Sequence, residues 1–133
     1  MHIDGVEATP VSTSPPALDV VVRFGASPHD FGRPTELCFT WNGELLSREE
    51  IRIGAPRGTL RRRFELPGAE LWRPSRPNLH LLGVQLGQDD QFERVGLRTL
   101  AVDRRGLLVN GEVVRLRGVN RHEAHPLFGH VTP

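Results

Sequence analysis

Five side chains able to bind, orient or protonate a substrate fall close together near the end of the chain: Asn120, Arg121, His122, Glu123 and His125. His130 follows shortly after. An imidazole beside a carboxylate can hydrogen-bond hydroxyls, move a proton or stabilise developing positive charge. Two imidazoles and a carboxylate could also ligate zinc. The metal reading is the weaker one. The His-Glu-x-x-His motif sets its histidines four apart on one helix face. Here His125 arrives one residue early and no helix is predicted around it. No metal ligand set is therefore expected. A lone histidine is more often a surface or structural residue than a catalytic one, so these residues alone do not choose a role.

The elements that must position this cluster begin at Leu107. Leu107–Val109 and Glu112–Leu116 are strand-like runs, and Asn110-Gly111 sits between them. Asn-Gly accepts positive φ at both central positions, which a type I′ hairpin requires. The second strand runs out through Gly118 into the polar cluster. Strands that end in ionisable groups build active-site edges in barrels of parallel strands.

Upstream, the pattern is a series of short strands. Leu18–Phe24 is apolar, and Glu36–Asn42 alternates Leu37, Phe39 and Trp41 on one face. Asn42-Gly43 supplies a turn into Leu45–Ile53, a strand with a polar edge. Thr59–Leu66 sets Leu60, Arg62, Phe64 and Leu66 against Arg61, Arg63 and Glu65. Pro67–Asn78 holds three prolines and is not a strand interior. Leu79–Leu86 and Phe92–Val102 follow, separated by the polar turn Gly87–Gln91. Six or seven strands at this spacing predict an all-β, antiparallel β-sandwich. Residues 1–16, rich in Pro, Ser and Thr, read as a lead-in or linker. The sandwich is expected over 17–103, with a boundary at Asp103–Gly106 and a new domain over 104–133. Trp41 and Cys38 are predicted core residues, Trp72 is predicted to pack over the sandwich edge, and the Arg61–Arg63 run reads as a solvated face with the Arg62 stem laid on apolar surface.

At 133 residues the chain has the length of one ordinary domain and is too short for a complete (β/α)₈ barrel, which takes about 250 residues. Its 17 basic and 16 acidic residues nearly cancel, so no strong field for nucleic acid or membranes exists. All the basic residues are arginine, which reads as codon bias in a GC-rich genome. One cysteine cannot form an internal disulfide. The start MHIDGVEATP lacks a basic end and an apolar run, and no stretch approaches a membrane span, so a cytoplasmic location is expected.

Three segments together carry a resemblance. Residues 110–126, NGEVVRLRGVNRHEAHP, resemble the start of the catalytic barrel in family 2 glycoside hydrolases, closest to the β-galactosidase branch. Residues 72–80, WRPSRPNLH, are similar to the Trp-x-Pro-x-x-Pro-Asn-Leu-Tyr segment of the immunoglobulin-like domain of those enzymes. Residues 95–99, VGLRT, are similar to the Val-Gly-Phe-Arg that closes that domain. The resemblance runs from about Ala17 to the end. Two positions depart from the pattern: Ala124 stands where β-galactosidases often have His, and His80 stands where Tyr is usual.

The resemblance implies an immunoglobulin-like sandwich followed by a hairpin that would begin a (β/α)₈ barrel. It implies a retaining glycosidase acting on terminal β-linked sugars, with His122 and Asn120 at the sugar subsite. Arg121, Glu123 and His125 would hold the loop. The family's two catalytic glutamates come from later barrel strands. A retaining mechanism needs two carboxylates about 5–5.5 Å apart. Glu112 and Glu123 are the only acidic residues after Asp103, and at about 3.3 Å per residue they lie roughly 20 Å or more apart. No catalytic residue is therefore expected in this chain, which alone should be inactive. No cofactor is expected in it; a divalent cation in relatives would be held by later residues. The implied partners are the remaining domains of a parent glycosidase and, in the intact enzyme, carbohydrate; a homo-oligomer is compatible, while nucleic acid and membrane are not expected. The alternative is a free-standing β-sandwich module that binds carbohydrate or protein without catalysis.

Overall fold

The structure is a computed structural model and describes residues 1–114. It divides into two compact units, Met1–Thr99 and a second that begins at Leu100.

The first unit is a sandwich of two antiparallel sheets. Strands β1 (His2–Thr13), β2 (Pro16–Gly25), β3 (Pro34–Trp41), β4 (Glu44–Arg52) and β5 (Arg57–Glu65) precede a connector. The connector carries the two-residue strands β6 (Trp72–Arg73) and β7 (Arg76–Pro77). Then come β8 (His80–Leu86) and β9 (Asp89–Val95). One sheet has the order β1-β2-β5, the other β4-β3-β8-β9. This is the predicted all-β, immunoglobulin-like antiparallel sandwich.

Alternation decides which residues face inward. Leu18, Val20, Val22 and Phe24 on β2 meet Leu37, Phe39 and Trp41 on β3 and Leu82, Val84 and Leu86 on β8. Phe39 is fully buried, and its ring lies 5.0 Å from that of Phe64 on the opposite sheet, tilted by 57°. Cys38 is buried, as expected. The Asn42-Gly43 turn has φ of 52° and 86° at its two residues, the left-handed pair that a type I′ turn demands.

Three expectations need correction. Residues 1–16 are not a lead-in. Residues 2–13 form β1, paired with β2 from His2 opposite Gly25 to Thr13 opposite Pro16. Pro10 hid this strand, because proline argues against a strand interior. It is accommodated because β1 is an edge strand with a register shift between Pro10 and Ser12. Nor do residues 92–102 form one strand. Pairing with β8 ends at Val95, and the carbonyl of Leu97 accepts from the Trp72 N–H at 2.8 Å, so the connector takes the place of a sheet neighbour. Third, Asp103–Gly106, expected as the domain boundary, forms a tight turn, and the compact sandwich unit ends at Thr99.

The second unit, where described, is a three-stranded antiparallel sheet of β10 (Leu100–Asp103), β11 (Gly106–Val109) and β12 (Glu112–Val113). Asp103 pairs with Gly106 across the β10–β11 turn, and its carboxylate accepts from the Arg105 backbone N–H at 2.7 Å. The hairpin predicted at Asn110-Gly111 is present, with φ of 56° and 83° and Val109 opposite Glu112.

Where the two sheets of the sandwich meet at β4 and β5, a half-buried ion pair closes the gap. Arg62 points inward with Leu60 and Phe64, and its guanidinium donates twice to Glu49, at 2.8 and 2.7 Å. Hydrogen bonding from Arg62 holds the Glu49 carboxyl below its ordinary range against an opposing effect of burial. A folded-state value below the unfolded one, about 4.3, stabilises the fold above that pH, and the effect fades as pH falls through the folded-state value. Glu49→Gln should therefore cost about 1 kcal/mol near neutrality, a magnitude set by a bidentate pair screened by solvent. Melting curves of both proteins from pH 7 down to about pH 3 check this. The gap between them should close toward the acid end; a constant gap would mean the ion pair is not its source.

Candidate functional site

The cluster singled out in the sequence, Asn120, Arg121, His122, Glu123 and His125, lies outside the described residues, as does His130. The structure describes the hairpin that leads toward it. Val114 donates its backbone N–H to Leu107 at 2.9 Å, so β12 still tracks β11 where the description ends. Among the described residues no group of three or more histidine, cysteine or acidic side chains could hold a metal ion. No helix among them is long and apolar enough to cross a membrane.

The two sequence segments of the sandwich that carry the resemblance meet one another in space. Trp72, at the start of the first, lies against Gly96 in the second. A side chain there would put its first carbon 2.9 Å from Trp72 Cδ1, so the close approach requires glycine. The Arg98 guanidinium sits 4.4 Å from the centroid of the Trp72 ring, a cation–π arrangement. Trp72 is thus a structural clamp at the sandwich edge, as predicted.

His80, which stands where Tyr is usual in the resembled segment, has a structural role. Its ring stacks on Trp41, with centroids 4.8 Å apart and planes 23° apart. Nε2 lies 2.8 Å from the carbonyl oxygen of Glu70 and Nδ1 lies 3.0 Å from Nδ2 of Asn42. A carbonyl only accepts and an amide nitrogen only donates, so Nε2 carries the proton and Nδ1 accepts. Asn42 Oδ1 in turn accepts from the Leu81 N–H at 2.8 Å. One side chain therefore ties the connector to the β3–β4 turn. The sequence holds no signal for this, since Glu70, Asn42 and His80 are joined only by the fold.

The Arg61–Arg63 run divides as alternation predicted. Arg62 faces inward to Glu49, whereas Arg63 lies on the outer face and pairs with Asp19 at 2.6 Å. The carboxyl of Asp19 is held low chiefly by its hydrogen bond from Arg63. These are structural pairs.

The chain matches no family model. Over 88 residues it is 30% identical to a β-galactosidase of Staphylococcus xylosus, a match that covers 66% of this chain and 9% of that enzyme. The chain thus spans about a tenth of the length of the curated relative it matches. Its fold is similar to a glycosyl hydrolase family 2 member from Bacteroides cellulosilyticus, with a TM-score of 0.73 at 20% identity over 87% of this chain and 17% of that one. A family 2 β-galacturonidase from Eisenbergiella tayi superposes with a TM-score of 0.70 at 18% identity, covering 83% of this chain and 20% of that one. A β-glucuronidase from Bacteroides uniformis gives 0.69 at 21% identity, covering 91% and 17%. The curated match and the superpositions agree: the chain is similar to a segment of β-galactosidase-like enzymes of glycoside hydrolase family 2, and its sandwich has the fold of theirs.

Proposed function

We propose that this chain is the non-catalytic sandwich, together with the N-terminal edge of the catalytic barrel, of a retaining β-galactosidase-like enzyme. The parent hydrolyses O-glycosidic bonds of terminal β-linked sugars. The observation that carries the reading is the 30% identity to a β-galactosidase over 88 residues, on a chain that folds as the sandwich of family 2 enzymes. The domain reading follows the same line: the sandwich holds the barrel and the remaining domains of the parent in register, and the segment after Asn110-Gly111 opens the barrel.

His122 and Asn120 then belong to the sugar subsite. An imidazole there hydrogen-bonds a hydroxyl and stabilises an oxocarbenium-like transition state. Arg121, Glu123 and His125 hold the loop that presents them. The acid/base and nucleophile glutamates come from elsewhere in the parent, so the chain needs no metal or cofactor of its own and turns over no substrate alone. The cytoplasm is the proposed compartment.

Hydrolysis of a nitrophenyl β-galactoside by the chain and by the parent enzyme tests this. The chain alone should give no turnover. The parent should hydrolyse the substrate with net retention, and His122→Ala in the parent should lower kcat/KM by about a hundredfold or more. Turnover by the pure chain that survives a Glu123→Gln control for contaminants would overturn the reading.

A further inference from the structure

The outer face of the four-stranded sheet carries a feature that architecture alone does not use. Direct cross-strand neighbours share a face, and the register places Leu45, Thr40, Gly83 and Phe92 in one row across β4, β3, β8 and β9. The next row holds Cys38, Gln85 and Asp90. Of these, Cys38, Thr40, Gly83, Gln85, Asp90 and Phe92 line a shallow recess floored by Cys38 and Gly83 and walled by Phe92.

Phe92 is the aromatic wall. Its ring leans over Gly83, where a side-chain carbon would lie 2.9 Å from Phe92 Cε1. An aromatic ring covering a cross-strand glycine shields exposed backbone, and that accounts for the inward edge of the ring. It does not account for the rest, since the side chain remains 57% exposed. The polar groups around the ring are also uncommitted. Asp90 and the Thr40 hydroxyl have no hydrogen-bond partner among the described residues. Gln85 donates its amide nitrogen to the Gly87 carbonyl at 3.1 Å, and its side-chain oxygen accepts from no described residue.

An open aromatic surface beside a carboxylate, an amide oxygen and a hydroxyl fits one ligand chemistry well. A pyranose has an apolar face of C–H groups for the ring and equatorial hydroxyls for planar acceptors. We propose that the Phe92 recess is a pyranose-binding subsite on the sandwich, separate from any barrel site. Phe92 stacks on the sugar, and Asp90, Gln85 and Thr40 receive or donate the hydroxyl hydrogen bonds. Glycine at position 83 keeps the floor low enough for the ring to lie over it. The subsite stands on the geometry of the sandwich and does not depend on the parent's catalytic activity.

The test is a titration of the ¹⁵N-labelled chain with methyl β-galactopyranoside and methyl β-glucopyranoside, followed by amide chemical shifts. Binding at about millimolar strength is expected, as suits a site that covers one face of a small ligand. The shifts should be confined to residues 38–40, 83–85 and 90–92. Phe92→Leu keeps an apolar cover over Gly83 but removes the aromatic face, and Asp90→Asn keeps shape but removes charge. Each should weaken binding about tenfold while the spectrum elsewhere stays that of the folded protein. No shifts at about 100 mM sugar, or shifts scattered over the surface, would overturn the proposal. Unchanged affinity in Phe92→Leu would do so as well, and would mark the sheet face that carries Leu45 and Phe92 as a plain apolar one.

Discussion

Removing residues 1–13 should abolish cooperative unfolding of the sandwich, although this stretch has the composition of a linker. β1 pairs with β2 along nearly its whole length. Val6 on β1 is part of the buried core, and Ile3 and Ala8 pack against it. The Ile3 N–H donates to the Asp89 carboxylate at 2.7 Å, which joins β1 to the start of β9 in the other sheet. Without β1 the first sheet has two strands, β2 becomes an edge, and its inward row of Leu18, Val20, Val22 and Phe24 loses cover at one end. Burial of one valine and parts of two more apolar side chains contributes about 2–4 kcal/mol. The lost ladder adds about 0.5–1.5 kcal/mol for each net hydrogen bond. Against a total stability of about 5–15 kcal/mol, the sum removes most or all of it. Thermal unfolding followed by circular dichroism decides the matter. A truncated chain that melts cooperatively within a few degrees of the intact one would show that β1 is dispensable.

Phe39→Ala should be the most damaging single substitution in the core, costing about 3–5 kcal/mol. Phe39 is the largest of the fully buried side chains and sits on β3, an inner strand of its sheet. It faces Phe64 across the sandwich, so alanine leaves a cavity between the sheets and breaks a tilted aromatic pair worth about 0.5–1.5 kcal/mol beyond its buried area. For a domain of this size the melting temperature should fall by roughly 15–30 °C. Urea unfolding of Phe39→Ala, Phe64→Ala and the double variant measures the pair. The coupling should be positive, because half-exposed Phe64 loses its main partner once Phe39 is gone. Additive losses would mean that the rings fill space independently.

The sandwich was legible because its central strands are locally consistent. Leu37, Phe39 and Trp41 alternate with shorter or polar residues, and Asn42-Gly43 and Asn110-Gly111 are turns whose φ values only a few residue types accept. The candidate site was legible in a different way. His122 and its neighbours stand out as residue types at the end of a strand-like run, and the segments at 72–80 and 95–99 set them in a family. The comparisons agree with that resemblance and with the sandwich fold, without reaching the roles of the cluster itself.

By itself, then, the sequence determined the all-β class, the two Asn-Gly hairpins, the inward rows of the central strands and the resemblance of the chain to a family of glycosidases. These are properties of residue type, short spacing and ancestry. Only the tertiary structure decided that residues 2–13 are a strand, because an edge strand tolerates Pro10 and a register shift, and its stability comes from β2 and the core rather than from its own residues. Tertiary structure also ended β9 at Val95, where Trp72 from more than twenty residues earlier claims the Leu97 carbonyl. It matched Arg62 with Glu49 and made His80 a joint between Glu70 and Asn42. Each of these rests on partners far apart in the chain, and no local pattern can report a partner that folding alone brings near.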